Sequence, residues 1–293
     1  MTTFGFASTA EEVTADVNLD GKTVLITGVN SGLGKESARV LGMRGATIVG
    51  LARSVDKAQS ALDEVGAKGT AVACDLSEPA SVRAAVQTVV DSGVTLDVIL
   101  GNAGIMALPK LEQKHGLELQ FLTNHMGHFL LVTGLLDQLA DDGRVVIVSS
   151  GAHFWADEEV GIDLDDLSGD KTYSAWRQYG MSKLANILFT RQLAKRFEGT
   201  SKVANALHPG VIKTNLSRHL EDQSIFDDMD PAKIKTIPQG AATQCLLAVH
   251  PEGAAHSGAY FSDCQPAEGS KWCTDDALAE ALWAKSEELA STL

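Results

Sequence analysis

The stretch KTVLITGVNSGLGKESARVLGMRG, residues 22–45, combines a short apolar run, a glycine-rich turn and a longer mixed segment. The run at 22–27 predicts a buried strand, and the segment that follows the glycines predicts a helix. Gly28, Gly32 and Gly34 lie between them, where small residues let a pyrophosphate approach the backbone and the helix N-terminus offers free N–H groups. This placement predicts a nucleotide-binding turn, and the alternative is a tight turn without a ligand.

Apolar runs alternate with helical patterns along the rest of the chain. Because such runs indicate strands buried on both faces, they predict a parallel sheet covered by helices on both sides. The predicted strands lie at 22–27, 46–52, 70–75, 96–104, 143–150, 201–210 and 258–263. Predicted helices lie near 55–65, at 112–139, from Tyr179 to 197 and at 275–290. A further helix is predicted to begin at an N-cap at Ser77, with Pro79 in its first turn. We expect an α/β fold, a single-domain Rossmann-type doubly wound parallel sheet of about seven strands over 21–293, after an N-terminal arm at 1–20.

Two long segments, 151–176 and 213–237, interrupt this alternation. Each follows the carboxyl end of a predicted strand, where open α/β sheets bind ligands. Loops of this length are usually functional or disordered, and we expect both to be substrate loops. Their large apolar residues suggest an apolar pocket, with local packing as the alternative; these are Phe154, Trp155, Trp176, Ile225 and Phe226.

The composition excludes several classes of partner. The 24 basic and 38 acidic residues give a net charge of −14, which argues against binding nucleic acid or anionic membranes. No apolar run approaches the roughly 20 residues that span a bilayer, and the N-terminus has no signal-peptide pattern. The four cysteines are scattered, as in reduced cytosolic proteins, and the eight histidines form no ligand cluster. We therefore expect a cytoplasmic protein with no membrane anchor and no metal site.

The end of the second predicted strand bears on the identity of the nucleotide. An NAD-binding fold usually places a carboxylate there, about 20 residues after the glycines, to hold the ribose 2′-hydroxyl. This chain has Ala52 and Arg53 at that point, and an arginine can pair with a 2′-phosphate. Lys35 either adds positive charge or is a solvated helix residue. The sequence favours NADP(H) and leaves NAD(H) open.

Two further strand ends carry candidate cofactor contacts. Asp75 ends the third predicted strand, where its carboxylate can accept a hydrogen bond from an adenine amino group or cap the following segment. Asn102, Ala103 and Gly104 end the fourth predicted strand. Their small size would let the backbone approach the ribose of the cofactor.

Tyr179 and Lys183 are spaced i, i+4, which places both side chains on one face of a helix. A tyrosine has a pKa near 10, and a neighbouring ammonium group lowers it. The pair is a candidate acid–base unit, although the pattern is weak by itself. Ser149 and Ser150 end the fifth predicted strand, where a hydroxyl could bind a substrate oxygen. Asn124, among apolar neighbours, holds a water or is a buried structural hydrogen-bonding residue.

Together these motifs resemble the short-chain dehydrogenase/reductase family. The matching segments are TGVNSGLG (27–34), CDL (74–76), GNAG (101–104), Asn124, VSS (148–150), YGMSK (179–183) and HPGVIKT (208–214). The segments YGMSKLANILFT, NHMGHFLL and GAYFSDC are similar to the branch of retinol dehydrogenases and the WW-domain oxidoreductase. One departure is Gly101, where the family often has an asparagine.

The resemblance implies a catalytic tetrad of Asn124, Ser150, Tyr179 and Lys183, with Ser150 preferred over the adjacent Ser149. Tyr179 would be the acid–base, Ser150 would orient the reacting oxygen, and Lys183 would lower the pKa of Tyr179 and bind the ribose. Asn124 would hold a water. The implied cofactor contacts are Gly28, Asn30, Ser31, Gly32, Leu33, Gly34, Arg53, Cys74, Asp75, Leu76, Asn102, Ala103, Gly104, Tyr179, Lys183, Pro209, Gly210, Ile212 and Thr214.

The expected function is NADP(H)-dependent hydride transfer between the nicotinamide and the carbonyl or alcohol of an apolar small molecule. One alternative is a catalytically silent NADP-sensing or scaffold protein, which should have lost part of the tetrad. Another is an epimerase or dehydratase, which usually carries a larger C-terminal substrate domain. Members of the family often pair through two long helices, so a homo-oligomer (dimer or tetramer) and a monomer are both compatible with the sequence.

Overall fold

A central sheet of eight strands organises the residues that the computed structural model describes, which are 3–214, 216 and 230–293. The strands are β1 Thr23–Thr27, β2 Thr47–Ala52, β3 Gly69–Ala73, β4 Leu96–Gly101, β5 Gln113–Lys114, β6 Leu117–Glu118, β7 Leu139–Val148, β8 Val203–His208, β9 Val211–Ile212, β10 Ile234–Lys235, β11 Tyr260–Ser262 and β12 Gln265–Pro266. The helices are α1 Ala10–Val13, α2 Gly32–Met43, α3 Val55–Val65, α4 Pro79–Asp91, α5 Leu119–Phe121, α6 Gly127–Gly134, α7 Ala175–Arg196, α8 Ile237–Gly240, α9 Ala242–Val249, α10 Pro251–Ala254 and α11 Asp276–Thr292. A π-helical turn spans Leu122–Met126, and 3-10 turns span Leu136–Gln138, Gly151–Trp155, Pro231–Lys233 and Lys271–Thr274.

The strand order in the sheet is β12-β11-β8-β7-β4-β1-β2-β3, and every neighbouring pair is parallel except β11–β12. The predicted Rossmann-type α/β class is confirmed. The predicted count of about seven strands is one short, because β12 has only two residues. It folds back through Asp263 and Cys264, which take positive φ angles of 52° and 61°, and a strand this short leaves no hydrophobic period in the sequence.

The two faces of the sheet are covered by different helices. Leu25 of β1 packs into the apolar cluster that contains α7, whereas Val24 and Ile26 pack into the cluster that contains α2 and α9. All five residues of β1 are buried, as the continuous apolar run predicts. The carboxyl ends of the parallel strands therefore meet at one open edge between two layers of helices.

The single helix predicted over 112–139 is wrong. A hairpin of β5 and β6 turns through His115 and Gly116, both with positive φ, so a helix cannot pass this point. The helical part runs from α5 through the π-helical turn into α6, and β7 begins at Leu139 instead of 143. The apolar pattern of 117–135 predicted burial correctly, but it cannot distinguish one helix from these shorter pieces.

Helix starts also differ in detail from the expectation. The N-cap of α4 is Glu78 and not Ser77, with Pro79 at the first helical position. The Ser77 amide and hydroxyl donate instead to Asp75 Oδ1, at 2.9 and 2.7 Å. Helix α7 begins at Ala175, one turn before Tyr179, so the tyrosine lies inside the helix and not at its first turn.

The last helix, α11, covers the outer faces of α6 and α7. The Trp283 ring lies 5.1 Å from Phe129 and 5.7 Å from Phe189, measured between ring centroids. The guanidinium of Arg196 stacks over the same indole at 3.7 Å, a favourable cation–π geometry. Ser286 bonds the buried imidazole of His125 at 2.9 Å. This aromatic cluster makes α11 a major contributor to the core.

We predict that Trp283→Ala lowers the free energy of unfolding by about 3–5 kcal/mol, because it opens a cavity in this aromatic cluster. Trp283 is 6% exposed, whereas Trp155 is 54% exposed, so Trp155→Ala is a matched control with a cost below about 1 kcal/mol. Urea unfolding of both variants measures the difference. Equal losses for the two tryptophans would contradict the role assigned to α11.

Candidate active site

A cavity of about 810 Å³ opens at the carboxyl ends of β1, β4, β7 and β8. It extends from the glycine turn before α2 to Trp155 and Trp176 in segment 151–176, the first irregular segment. Every predicted catalytic and cofactor residue lines this cavity except Gly34 and Asn124. The structure therefore brings together residues that are spread over most of the chain.

The glycine turn has the geometry that close approach of a diphosphate requires. Gly28 and Gly32 take positive φ angles of 69° and 53°. A Cβ on Gly34 would lie 2.4 Å from the Gly28 carbonyl oxygen, so no side chain fits there. Ser31, the N-cap of α2, makes no side-chain cap, which leaves the first N–H groups of the helix for a ligand. The turn fits the diphosphate of a dinucleotide.

Arg53 and Lys35, the two candidate cations for a 2′-phosphate, differ in their surroundings. Arg53 is exposed at the end of β2, lines the cavity and makes no ion pair with any described residue. Lys35 makes an ion pair with Glu64 on α3, which is the solvated-helix alternative. Asp75 also realises its capping alternative, because Oδ1 accepts the Ser77 bonds, although it still lines the cavity.

A hydroxyl at the end of β1 connects the glycine turn with the end of β4. Thr27 Oγ1 accepts from the amides of Asn102 and Ala103, at 2.9 and 3.0 Å. It also contacts His128 Nε2 at 2.9 Å, while His128 Nδ1 lies 2.9 Å from the Asn124 carbonyl. Because a carbonyl only accepts, Nδ1 donates, and Nε2 accepts from the threonine hydroxyl. Burial lowers the pKa of His128 to about 4, which keeps this ring neutral.

The sequence reasoning missed Thr27 and His128. A signal for His128 was present in Gly101, the position that departs from the family pattern. A Cβ on Gly101 would lie 2.6 Å from Ile147 Cδ1 and 3.0 Å from His128 Cδ2. The imidazole and Ile147 fill the space that a larger side chain at 101 would need.

The two adjacent serines have different partners. Ser149 is buried, and its hydroxyl donates to the Lys183 carbonyl oxygen at 2.7 Å. Ser150 caps the 3-10 turn that follows it, accepting from the Ala152 amide at 3.1 Å, and its hydroxyl lies near enough to Tyr179 to lower the pKa of the phenol. Of the two, Ser150 is therefore the serine that faces the tyrosine.

Tyr179 and Lys183 are both buried in the wall of the cavity. Lys183 Nζ donates to the Val148 carbonyl at 3.0 Å and lies 5.7 Å from the centre of the Tyr179 ring. Burial raises the pKa of Tyr179 to about 12, partly opposed by the Ser150 hydrogen bond, and lowers the pKa of Lys183 to about 7. The expected lowering of the tyrosine pKa is reversed here, because both groups are withdrawn from water.

Asn124 lies beside the cavity without lining it. Its Oδ1 accepts from the Ile105 amide at 2.8 Å, and its Nδ2 donates to the Ile105 carbonyl and to Ser182 Oγ, both at 2.9 Å. The side chain therefore joins the π-helical turn to the β4 loop and to α7. This is the buried structural arrangement that the sequence left open, and no side-chain donor of Asn124 remains for a water.

The first irregular segment forms an aromatic wall. Trp155 and Trp176 meet edge to face at 5.1 Å, and Trp176 lies 6.4 Å from the Tyr179 ring. Phe154 does not line the cavity and is 54% exposed. An ion pair of Asp157 with Arg177 joins the segment to α7, and an ion pair of Asp163 with Lys171 lies within the segment.

The HPG segment forms the opposite wall. Pro209, Gly210 and Ile212 line the cavity, and a Cβ on Gly210 would lie 2.7 Å from Lys235 Cδ. Thr214 and Leu216 continue the lining. Ile225 and Phe226, predicted to contribute apolar contacts, lie outside the described residues, as does most of the second irregular segment.

Within 3–214, 216 and 230–293, no group of three or more histidine, cysteine or carboxylate side chains is arranged to hold a metal ion. In the same described part of the chain, no helix combines the length and the apolarity that crossing a membrane requires.

Comparison with known proteins agrees with this geometry. A family model described as short chain dehydrogenase matches residues 22–160. The chain is 39% identical to Short-chain dehydrogenase TIC 32 B, chloroplastic, of Brassica napus, with 99% of this chain and 95% of that protein covered. It is 38% identical to Retinol dehydrogenase 14 of Homo sapiens, with 94% and 88% covered. A solved structure from Mycobacterium Paratuberculosis matches with a TM-score of 0.78 at 35% identity, with 97% and 98% covered.

These similarities extend well beyond the glycine turn and include the helix that carries Tyr179 and Lys183. The chain therefore belongs to the short-chain dehydrogenase/reductase family, in the branch that contains retinol dehydrogenases, and is an oxidoreductase that acts on CH–OH and C=O groups.

Proposed function

We propose that this protein catalyses NADP(H)-dependent reduction of a carbonyl group, and the reverse oxidation of an alcohol, with Tyr179 as the acid–base. One observation carries the proposal. Tyr179 and Ser150 line the same cavity as the glycine turn and as Arg53, which makes no ion pair within the described part of the chain. Proton-transfer groups and a dinucleotide cradle thus share one cavity.

The cofactor preference rests on Arg53. When bound, the nicotinamide cofactor supplies or accepts the hydride. The glycine turn and the N-terminus of α2 would hold its diphosphate, and Arg53 would pair with the 2′-phosphate of NADP(H). Since no carboxylate stands at the end of β2 to repel that phosphate, NADP(H) is favoured and NAD(H) is the weaker alternative.

The proton chemistry follows from burial. With a pKa of about 12, Tyr179 is protonated at neutral pH and can donate to the oxygen of a carbonyl substrate. Ser150 would hold that oxygen beside the phenol. Lys183 spends one hydrogen on the Val148 carbonyl, and its other N–H groups would bind the ribose hydroxyls. Asn124 would act by fixing the β4 loop and α7 and not by contacting the substrate.

We propose an uncharged, largely apolar substrate. Trp155 and Trp176 form one wall, and the apolar side chains of Leu108 and Leu119 also line the cavity. The retinol dehydrogenases among the relatives are named for an apolar alcohol, which agrees with this assignment. A cofactor-sensing protein without chemistry would not need Tyr179 and Ser150 to line the same cavity.

Two further features bear on the oligomeric state and on the cellular compartment of the enzyme. Because α11 covers the outer faces of α6 and α7, we propose that the chain does not pair with a second copy through this face. All four cysteines are buried free thiols, which supports a reducing compartment such as the cytoplasm.

Tyr179→Phe should lower kcat by about 10²–10⁴-fold, because the proton donor is lost. The variant should bind NADPH within about twofold of the wild type, since the phenyl ring is retained. Turnover is measured by NADPH absorbance on a panel of nonanal, benzaldehyde and retinaldehyde. Tyr260→Phe, another buried tyrosine, is the matched control and should keep turnover. Retained activity in Tyr179→Phe would exclude the assignment.

Arg53→Ala should raise the Kd for NADPH about tenfold or more, because a charge-assisted bond to the 2′-phosphate is lost. The Kd for NADH should change little, and Arg53→Asp should widen the difference. Lys35→Ala is the matched control, since Lys35 already pairs with Glu64. Fluorescence titration with both cofactors measures these constants, and equal weakening of NADPH and NADH would refute the preference.

Lys183→Met should be more stable than the wild type at pH 6, because burying the ammonium is costly. Folded Lys183 loses its proton near pH 7, whereas the unfolded chain keeps it to about 10.5. The unfolded state therefore binds more protons in this window, and the wild type gains stability there with rising pH, by up to about 1.4 kcal/mol per pH unit.

Urea unfolding at pH 6, 7.5 and 9 measures this difference. Lys110→Met, at an exposed position, is the control and should give a difference from the wild type that stays flat across the series. A difference between wild type and Lys183→Met that is constant with pH would contradict the low pKa of Lys183.

A further inference from the structure

His208 ends β8 and lines the cavity beside the catalytic serine. Its Nδ1 accepts a hydrogen bond from the Gly151 amide at 3.0 Å. Gly151 directly follows Ser150, which lines the cavity together with Tyr179. The imidazole therefore lies one residue away from the tyrosine–serine pair, although the catalytic tetrad does not include it.

The Gly151 amide decides which nitrogen of the ring carries the hydrogen. Because Nδ1 accepts, a neutral imidazole must carry its hydrogen on Nε2. Burial and the nearby Lys235 lower the pKa of His208 to about 4, with His153 acting in the same direction and Asp263 opposing. At neutral pH the ring is thus an uncharged N–H donor with one orientation.

The Nε2 atom has no hydrogen-bond partner among the described residues. His153, the neighbouring histidine, shows the contrast. Its Nδ1 donates to the Ser150 carbonyl at 2.7 Å, and its Nε2 accepts from the Ser270 amide at 3.1 Å. His153 has no free hydrogen-bonding capacity, whereas His208 keeps one donor at the wall of a cavity that binds ligands.

We infer that His208 Nε2–H donates a hydrogen bond to an uncharged oxygen of the bound ligands, and so positions them against Tyr179 and Ser150. This inference rests on the proposed function of the same site. The acceptor is a carbonyl or hydroxyl oxygen, with two sources: the carboxamide of the nicotinamide, or a second oxygen on the substrate. The competing explanation is that His208 has a purely structural role and only accepts the hydrogen bond from the Gly151 amide.

Three substitutions separate the two nitrogens of the ring. His208→Asn keeps an acceptor near the Nδ1 position and removes the Nε2 donor. His208→Gln places an amide donor near the Nε2 position and removes the acceptor for Gly151. His208→Phe removes both groups. If the inference holds, the asparagine variant loses ligand binding and the glutamine variant loses stability.

Two binding measurements identify the source of the acceptor. Fluorescence titration gives the Kd for NADPH, which reports on the carboxamide. The KM values for 1-phenylpropan-1-one and 1-phenylpropane-1,2-dione, or their inhibition constants where turnover is slow, report on a second substrate oxygen. We expect His208→Asn to raise either the NADPH Kd or the KM of the dione alone by about tenfold, as for one lost hydrogen bond. His208→Gln should stay within about threefold.

The melting temperature reports on the hydrogen bond between the Gly151 amide and His208 Nδ1. His208→Gln should melt below His208→Asn, because only the glutamine variant leaves the Gly151 amide unpaired. An asparagine variant with wild-type NADPH Kd and wild-type values for both ketones would overturn the inference. A wild-type protein that turns over no compound of the carbonyl panel would overturn the proposed function instead, while the NADPH titration would still decide whether His208 contacts the cofactor.

Discussion

The hydroxyl of Thr27 fixes the geometry on which the site depends. It lies where β1 ends and uses its full hydrogen-bonding capacity, accepting from the amides of Asn102 and Ala103 and donating to His128. These bonds hold the end of β4 against the end of β1. His128 passes the constraint to the Asn124 carbonyl and thus to the π-helical turn. The cavity opens between strand ends that this one side chain holds in place.

Burial determines the electrostatics of the same region. Tyr179 and Lys183 are buried, and no carboxylate among the described residues compensates the charge of the lysine. Burial therefore raises the pKa of Tyr179 and lowers the pKa of Lys183, which favours the neutral form of each group. The buried lysine weakens the folded state near neutral pH, whereas the aromatic cluster around Trp283 stabilises the part of α7 that carries Phe189. The reactive end of α7 and its packing end therefore contribute with opposite signs to stability.

The sequence predicts the layered fold because the strands and helices depend on local signals, whereas most of the predicted cavity-lining residues are those that the family resemblance implies. The run 22–27 and the glycines after it carry their structural meaning within a few residues. The hairpin at 113–118 and the π-helical turn were missed, because their apolar pattern is also compatible with a helix. The pKa of Tyr179 could not be predicted from its spacing to Lys183, since it is set by how completely the fold excludes water from both groups.

The contact between Gly101 and His128 also limits which substitutions this site can accept. The two positions are 27 apart in the sequence, yet a side chain added at 101 would collide with the imidazole and with Ile147. Replacing His128 alone would remove the acceptor of the Thr27 hydroxyl and the imidazole bond to the Asn124 carbonyl. The residue at 101 and the residue at 128 therefore constrain each other. An asparagine at 101 therefore requires the end of the Ile147 side chain to shift and the His128 ring to yield slightly, so its cost is set by how far these two side chains can move.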